Sequence, residues 1–259
     1  MINHNTFVCM KWGTKYGPEY VNRLYDMIQK NTNKPFRLVC FTDKREGIIP
    51  QVELYDLPEF KAAHLQKMGA YQKKTLCRAG LEPFKSGERF LYLDLDIVIM
   101  NNLDAIFDYK PEADFIICYN WTRGQGRIGN SSVTLMRSGP LDYIINDLEN
   151  DFLTYQAKFR TASQEYMSSK VIEKYGELNF WPDDWCKSFQ YHCMPNRLLR
   201  PFIMAKRPPK ETKILLFHGR VNPPDAIQGI WPGEFPWWKK WYKKLKPVDW
   251  LNEYWIKNY

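Results

Sequence analysis

Residues 90–100 constrain the fold of this chain more than any other stretch. They are apolar except for two acids, Asp94 and Asp96. A run this apolar is typical of a strand covered on both faces, as in parallel or mixed sheets. Alternate residues of a strand point the same way, so the two carboxylates are expected on one face. Such charges repel and lose hydration together, which predicts a divalent cation or a retained proton.

A turn-capping role is the plainer interpretation of an acid at a strand end, and Asn101 and Asn102 follow closely. It would account for one acid. Two unpaired carboxylates inside an apolar run would cost on the order of several kcal/mol, so we favour a functional site.

The segments around this run predict an α/β fold. A strand at residues 6–11, an amphipathic helix from Pro18 and a strand at 36–42 open the chain in the manner of a nucleotide-binding half. In such sheets the ligand lies beyond the carboxyl ends of the strands. Residues 61–78 are predicted to be helical with an interruption at Gly69, and 213–217 to be a late strand. We expect a mixed, mostly parallel sheet flanked by helices, with the nucleotide-binding half first.

Length and composition indicate one globular domain over residues 1–259. The chain is 44% hydrophobic and 25% charged, as in folded proteins. Its six cysteines are scattered without zinc-like spacing, which favours reduced thiols and a cytoplasmic location. We see neither a signal peptide at residues 1–4 nor an apolar run long enough to span a membrane.

The formal charge of +8 predicts an anionic partner. Nucleic acid, an anionic membrane and a phosphorylated substrate all fit that sign. Residues 231–259 form a Trp/Lys-rich tail in which Trp237, Trp238, Trp241 and Leu245 share one helical side. We expect the tryptophans to dock on the protein, while peripheral membrane contact through this tail is the alternative.

Four segments together resemble the GT-A glycosyltransferases. Residues 93–96 resemble their Asp-x-Asp signature, and 217–220 resemble the late His-Gly element of the glycogenin-like branch. Residues 71–81, which contain Lys74, resemble the helix that precedes the signature strand, and 130–132 resemble a segment that contacts the donor sugar. The order and spacing cover residues 6–225. The resemblance implies transfer of a sugar from a nucleoside-diphosphate donor, such as a UDP-sugar, to a glycan, lipid or protein acceptor.

The resemblance also implies a ligand set. Asp94, Asp96 and His218 would hold Mn²⁺ or Mg²⁺, a metal that neutralises the departing diphosphate. The implied nucleotide contacts are Met10, Trp12, Tyr16, Lys74, Leu95, Gly219 and Arg220. The implied donor-sugar contacts are Asn130, Ser131 and Gln164. The glycine-rich, basic residues 121–129 would form a lid.

One position departs from the family pattern. Where glycogenin-like enzymes carry an Asp-Gln pair, this chain has Ser163-Gln164-Glu165. Gln164 and Glu165 are therefore the candidate catalytic residues, and a retaining outcome rests on the resemblance alone.

Two other functions stay open. The acid pair also resembles the motif of haloacid-dehalogenase-like phosphatases, with Asp94 as nucleophile, Asp96 as acid/base, and Asp183 and Asp184 holding Mg²⁺. That motif normally follows the first strand, which counts against it here. A non-enzymatic nucleic-acid or carbohydrate binder fits the charge and aromatics. Such a binder has no use for a buried acid pair, so we expect no nucleic-acid partner.

Overall fold

The computed structural model describes residues 4–65, 69–122, 128–240 and 242–255. The strands in these residues are β1 Asn5–Lys11, β2 Phe36–Thr42, β3 Glu53–Tyr55, β4 Arg89–Leu93, β5 Ile97–Ile99, β6 Phe115–Tyr119, β7 Gly129–Arg137, β8 Cys186–Ser188 and β9 Ile214–Leu216. The α-helices are α1 Pro18–Lys30, α2 Asp104–Asp108, α3 Asp142–Asn150, α4 Phe152–Phe159, α5 Ser163–Tyr175, α6 Pro223–Gln228 and α7 Trp237–Lys240.

Two sheets form the framework. The larger has the strand order β3-β2-β1-β4-β7-β6, in which β3, β2, β1 and β4 run parallel and β7 is antiparallel to both neighbours. The smaller has the order β5-β9-β8. The predicted α/β class, with a mixed and mostly parallel sheet flanked by helices, is confirmed.

Side chains alternate across the larger sheet into two core clusters. On β1, Phe7 and Cys9 belong to one cluster, whereas Val8 and Met10 belong to the other. Both faces are therefore covered, which explains why β1 is apolar at almost every position. The first cluster continues into the smaller sheet through β5 and β9.

The prediction of one strand over residues 90–100 was wrong. β4 ends at Leu93, and β5 begins at Ile97 in the other sheet. Beyond Leu93 the Asp94 amide still donates to the Ser132 carbonyl oxygen, 2.8 Å away, after which the chain turns toward β9. The two acids thus lie in a turn between sheets rather than on one strand face. The run looked continuous because residues 90–93 of β4 and all of β5 are buried.

The segment at residues 61–78 also differs from the predicted helix. Its described residues form two 3₁₀ segments, Ala63–Leu65 and Gln72–Cys77, separated at Gly69, whose φ is +61°. The interruption at Gly69 was expected, but the α-helical geometry was not. Residues 66–68 lie outside the described part.

In the described part of the tail, the short α-helix α7 is followed by a 3₁₀ segment at Asp249–Glu253. Trp237 is 83% exposed and Trp238 is 49% exposed, so the expectation that these two dock on the protein was wrong. Trp241 lies outside the described residues. Further on, Leu245, Trp250 and Trp255 are buried in the first core cluster. None of the helices described is long and apolar enough to cross a membrane.

Candidate active site

The two acids lie where the ends of both sheets meet. The antiparallel pairing of β4 with β7 brings the start of β7, including Ser131, beside the end of β4. In the other sheet β5 pairs with β9 in antiparallel register, with Ile97 opposite Leu216. The residues after β9 therefore lie near the residues before β5, and His218 comes to the acid pair for that reason.

Asp94 is held by two donors. Lys73 Nζ lies 2.7 Å from its Oδ1, and the Tyr92 hydroxyl donates to the same atom over 2.8 Å. Burial alone would raise the pKa of Asp94, but the charge of Lys73 and these hydrogen bonds outweigh it and lower the pKa. The Lys73 ammonium also lies 3.4 Å from the Ser131 carbonyl oxygen. Asp94 is thus ionised and paired.

Asp96 has the opposite electrostatic environment. Burial, and then the nearby charge of Asp94, raise the pKa of Asp96 to about 6. The Tyr16 hydroxyl donates to its Oδ2 over 2.6 Å, which offsets part of that effect. Among the residues that the structure describes, only Asp94 of these two carboxyls forms an ion pair, an arrangement that favours a further positive charge.

His218 is held by a serine and two aromatic rings. Its Nε2 lies 2.6 Å from Ser188 Oγ on β8. The imidazole stacks between Tyr191 and Trp121, with centroid distances of 5.5 and 6.3 Å. Burial, followed by the neighbouring His192, lowers the pKa of His218, so the ring is neutral at neutral pH.

The chemical type of the donor groups at the turn fits a hard divalent cation, but in the described part of the chain their arrangement lacks a third ligand close to the two carboxyls. The two carboxyls are oxygen ligands of the type that Mn²⁺ and Mg²⁺ prefer, and among the described residues that of Asp96 forms no ion pair. Yet no three His, Cys, Asp or Glu side chains among the described residues are grouped closely enough to hold a metal ion. His218 Nε2 is instead bonded to Ser188.

Two cavities meet at the acid pair, and both are lined by Lys73 and Asp94. One, of about 310 Å³, is further lined by Asn120, Trp121, Thr122, Asn130, Ser131, Ser132, Thr161, Ala162, Ser163, Gln164 and His218. We call it the β7 cavity. The other, of about 460 Å³, is further lined by Met10, Trp12, Gly13, Thr14, Lys15, Tyr16, Tyr92, Leu95 and Asp96. We call it the β1 cavity.

Most of the residues predicted from the sequence line these cavities. The predicted nucleotide contacts in the β1 cavity are Met10, Trp12, Tyr16 and Leu95, and the predicted sugar contacts in the β7 cavity are Asn130, Ser131 and Gln164. His218 and Asp94 line the same cavity, so the structure brings together residues far apart in the sequence.

Lys74, a predicted nucleotide contact, lines neither cavity. It is fully buried, and its ammonium lies 3.7 Å from Met167 Sδ. Burial, together with the charge of Lys73, lowers its pKa to about 7. The lysine that faces both cavities is Lys73, because the 3₁₀ turn points neighbouring side chains in different directions.

Three further predicted residues lie outside the lining of the two cavities. Glu165 follows Gln164 in the first turn of α5 but is not among the side chains that line either one. Gly219 is exposed with φ +102°, and the Arg220 guanidinium lies 5.2 Å from the Phe235 ring centroid. Arg220 and His218 both line a small adjacent cleft. Of the predicted lid, residues 123–127 lie outside the described part.

The sequence did not single out several cavity residues, among them Asn120, Thr161 and Lys73. The only available signal was the position of Lys73 ahead of β4. The phosphatase interpretation gains nothing from the geometry, because Asp183 and Asp184 are exposed, pair with Lys187 and line neither cavity.

The fold is similar to that of solved glycosyltransferases. A galactosyltransferase, LgtC, in complex with donor and acceptor sugar analogues, matches with a TM-score of 0.55 at 11% identity, covering 84% of this chain and 88% of LgtC. The bifunctional glycosyltransferase WbbM matches with a TM-score of 0.54 at 11% identity, and the match covers 85% of this chain and 46% of WbbM. The glycosyltransferase GlyE of Streptococcus pneumoniae TIGR4 matches with a TM-score of 0.52 at 12% identity, and the match covers 85% of this chain and 56% of GlyE. This chain has the GT-A fold.

The sequence alone gives no such match. Neither the comparison with protein-family profiles nor that with curated proteins found a similar sequence. The likeness therefore lies in the arrangement of strands and helices.

Proposed function

We propose that this chain is a single-domain glycosyltransferase that moves a sugar from a nucleoside-diphosphate donor to an acceptor. The nucleotide that we propose for the donor is UDP. The observation that carries the proposal is the acid pair, which lies between two joined cavities at the carboxyl ends of β1 and β4. Open α/β sheets bind ligands at this position. The similarity in fold to three glycosyltransferases supports the same reaction class.

The β1 cavity fits a nucleoside. Trp12 and Tyr16 give it aromatic walls on which a base can stack. Lys73 stands at its junction with the β7 cavity, where a diphosphate would need a cation. Asp94 lines both cavities and Asp96 lines the β1 cavity beside it, so the diphosphate requires further positive charge there.

A divalent cation, Mn²⁺ or Mg²⁺, held by Asp94 and Asp96, would supply that charge. His218 would have to give up its hydrogen bond to Ser188 and move toward the acids to become the third ligand. Bound there, the cation would neutralise charge on the departing diphosphate. Lys73 contributes to the same neutralisation from the protein side, since its ammonium already lies between Asp94 and Ser131.

The β7 cavity fits a sugar. Its walls offer hydroxyl and amide groups of Asn130, Ser131 and Gln164. Trp121 adds an indole Nε1 that is buried without a hydrogen-bond partner among the described residues. Gln164 lies in the first turn of α5 and lines this cavity, which supports a role beside the anomeric carbon. Retention of anomeric configuration remains part of the proposal.

A donor panel tests this function. Sugar nucleotides with different bases and sugars are incubated with the protein in EDTA, Mn²⁺ or Mg²⁺, and the release of nucleoside diphosphate is followed. We expect slow hydrolysis of one donor with metal only. Asp96→Asn should weaken metal-dependent UDP binding by about tenfold or more, equivalent to about 1.4 kcal/mol. Asp56→Asn, at an exposed carboxylate, is the matched control.

Two results would overturn the proposal. One is equal UDP affinity of the unaltered protein in Mn²⁺ and in EDTA, with no donor consumed. The other is metal-dependent release of phosphate from simple phosphomonoesters, which would favour the phosphatase.

A further inference from the structure

An exposed apolar loop lies outside the proposed site. In residues 198–204, which we call the 198–204 loop, every side chain other than those of Arg200 and Pro201 is a large apolar group with substantial exposure: Leu198, Leu199, Phe202, Ile203 and Met204. Phe202 is 70% exposed. Single exposed apolar residues are common, but a consecutive group of this kind marks an interaction surface.

The loop is an ordered part of the fold. The amides of Phe202 and Ile203 both donate to the Leu199 carbonyl oxygen. Next to the loop, Ala205 is fully buried, and its carbonyl oxygen accepts from Trp250 Nε1 over 2.9 Å. The backbone is thus satisfied while the apolar side chains point outward, and packing within the protein does not explain them.

The Trp/Lys-rich tail lies against this loop. The Arg200 guanidinium is 5.1 Å from the Trp231 ring centroid, and the Lys243 ammonium approaches the same ring to 4.5 Å. The Arg197 guanidinium lies 5.5 Å from the Tyr242 ring. The exposed indoles of α7 therefore belong to the same region of the surface as the loop.

Two segments of this surface carry charge of one sign, although the tail also contains Glu234, Asp249 and Glu253. Residues 196–207 contain four cations and no acid, and residues 237–246 contain five lysines and no acid. Arg207 pairs with Glu253. Apolar and indole side chains among cations match the boundary of an anionic bilayer, where rings and aliphatic groups enter the acyl region and ammonium groups meet lipid phosphates.

We propose that the 198–204 loop and the described residues of the Trp/Lys-rich tail together dock this protein on the surface of an anionic lipid bilayer. The docking needs no spanning helix, because side chains alone enter the membrane. It is also independent of the proposed sugar transfer, since none of the loop residues lines the β1 or β7 cavity.

The docking surface lies close to those cavities. Trp231, which Arg200 and Lys243 contact, lines the small cleft that also contains His218 and Arg220. A docked molecule would thus hold its β7 cavity near the lipid headgroups. This position suits an acceptor that is itself carried by a lipid, a consequence that rests on the proposed function.

Vesicle co-sedimentation tests the docking. The protein is mixed with vesicles of phosphatidylcholine alone or of phosphatidylcholine with phosphatidylglycerol, at low and high salt. We expect binding to the anionic vesicles only, weakened by salt. The double variant Phe202→Ser/Ile203→Ser should weaken this binding about tenfold or more, because two apolar side chains no longer enter the bilayer.

The control is Leu153→Ser, which removes an equally exposed apolar side chain (62%) from α4, beside the other core cluster. Circular dichroism checks that both variants fold. Equal binding of the loop variant and the control would overturn the proposal, as would binding that ignores lipid charge or no binding at all. Concentration-dependent self-association that the loop variant abolishes, without vesicle binding, would identify a second copy of the chain as the partner instead.

Discussion

Replacing Asp96 with asparagine should make the metal-free protein more stable at neutral pH. The pKa of Asp96 is raised to about 6 because the carboxyl is buried and lies close to Asp94. Above that pH the native state must carry an unfavourable charge that the unfolded chain carries without penalty. Asparagine has nearly the same shape, and its side-chain oxygen can still accept from the Tyr16 hydroxyl. Asp96→Asn therefore removes the charge and keeps the hydrogen bond.

The size of the effect follows from the pKa. A folded-state pKa of about 6 lies roughly two pH units above the unfolded value of about 3.9, at about 1.4 kcal/mol per unit. This sets an upper bound of about 3 kcal/mol at pH 7. Since the carboxyl retains some contact with solvent, we expect a gain of about 2 kcal/mol.

The sign of the pH dependence is fixed by the same shift. An acid with a raised folded pKa destabilises the protein increasingly as pH rises through the window from about 4 to about 6. The gain in the free energy of unfolding from Asp96→Asn should thus reach its full value at neutral pH and fall to about a third of that value near pH 4.5. Other groups titrate in this range, but they contribute to both proteins and cancel in the difference.

Urea unfolding in EDTA, measured across this pH range, gives the required free energies of unfolding. Asp56→Asn is the control, because its carboxylate is highly exposed in a surface pair with Arg45 and should change stability by less than about 0.5 kcal/mol. Destabilisation by Asp96→Asn at neutral pH, or a gain that does not depend on pH, would refute the electrostatic account of the acid pair.

Two further predictions concern the same region. Lys73→Met should lower the free energy of unfolding by about 2 kcal/mol, because Asp94 loses its cation. Adding Asp94→Asn to this variant should restore about half of the lost free energy. Urea unfolding measures both effects, and purely additive effects of the two substitutions would contradict the pairing. Gly129→Ala should cost about 1–3 kcal/mol, because a Cβ there would lie 2.6 Å from Ile117 side-chain atoms, and an unchanged thermal midpoint would show that β6 and β7 are packed less closely.

The sequence predicted those elements whose residues carry their own pattern. α1 was recognisable from Pro18 and the apolar spacing behind it, and β1 and β2 from their buried runs. In these cases the local periodicity and the tertiary packing require the same residues.

The break between β4 and β5 could not be predicted in this way. Apart from Arg89 at the start of β4, both strands consist of apolar and aromatic residues, and hydrophobicity does not indicate which sheet a strand joins. Lys73 and Lys74 pose a similar problem, since neighbouring lysines look equivalent until the turn geometry is known. The acid pair was found for its chemistry, although the strand geometry first used to explain it was wrong.

The position of the two acids has a consequence for the mechanics of the fold. Asp94 directly follows the last residue of one sheet, and Asp96 directly precedes the first residue of the other. A cation that engages both carboxyls would act as a crosslink between the two sheets. Loading the site would then stiffen the junction and unloading would soften it, so affinity and rigidity would vary together.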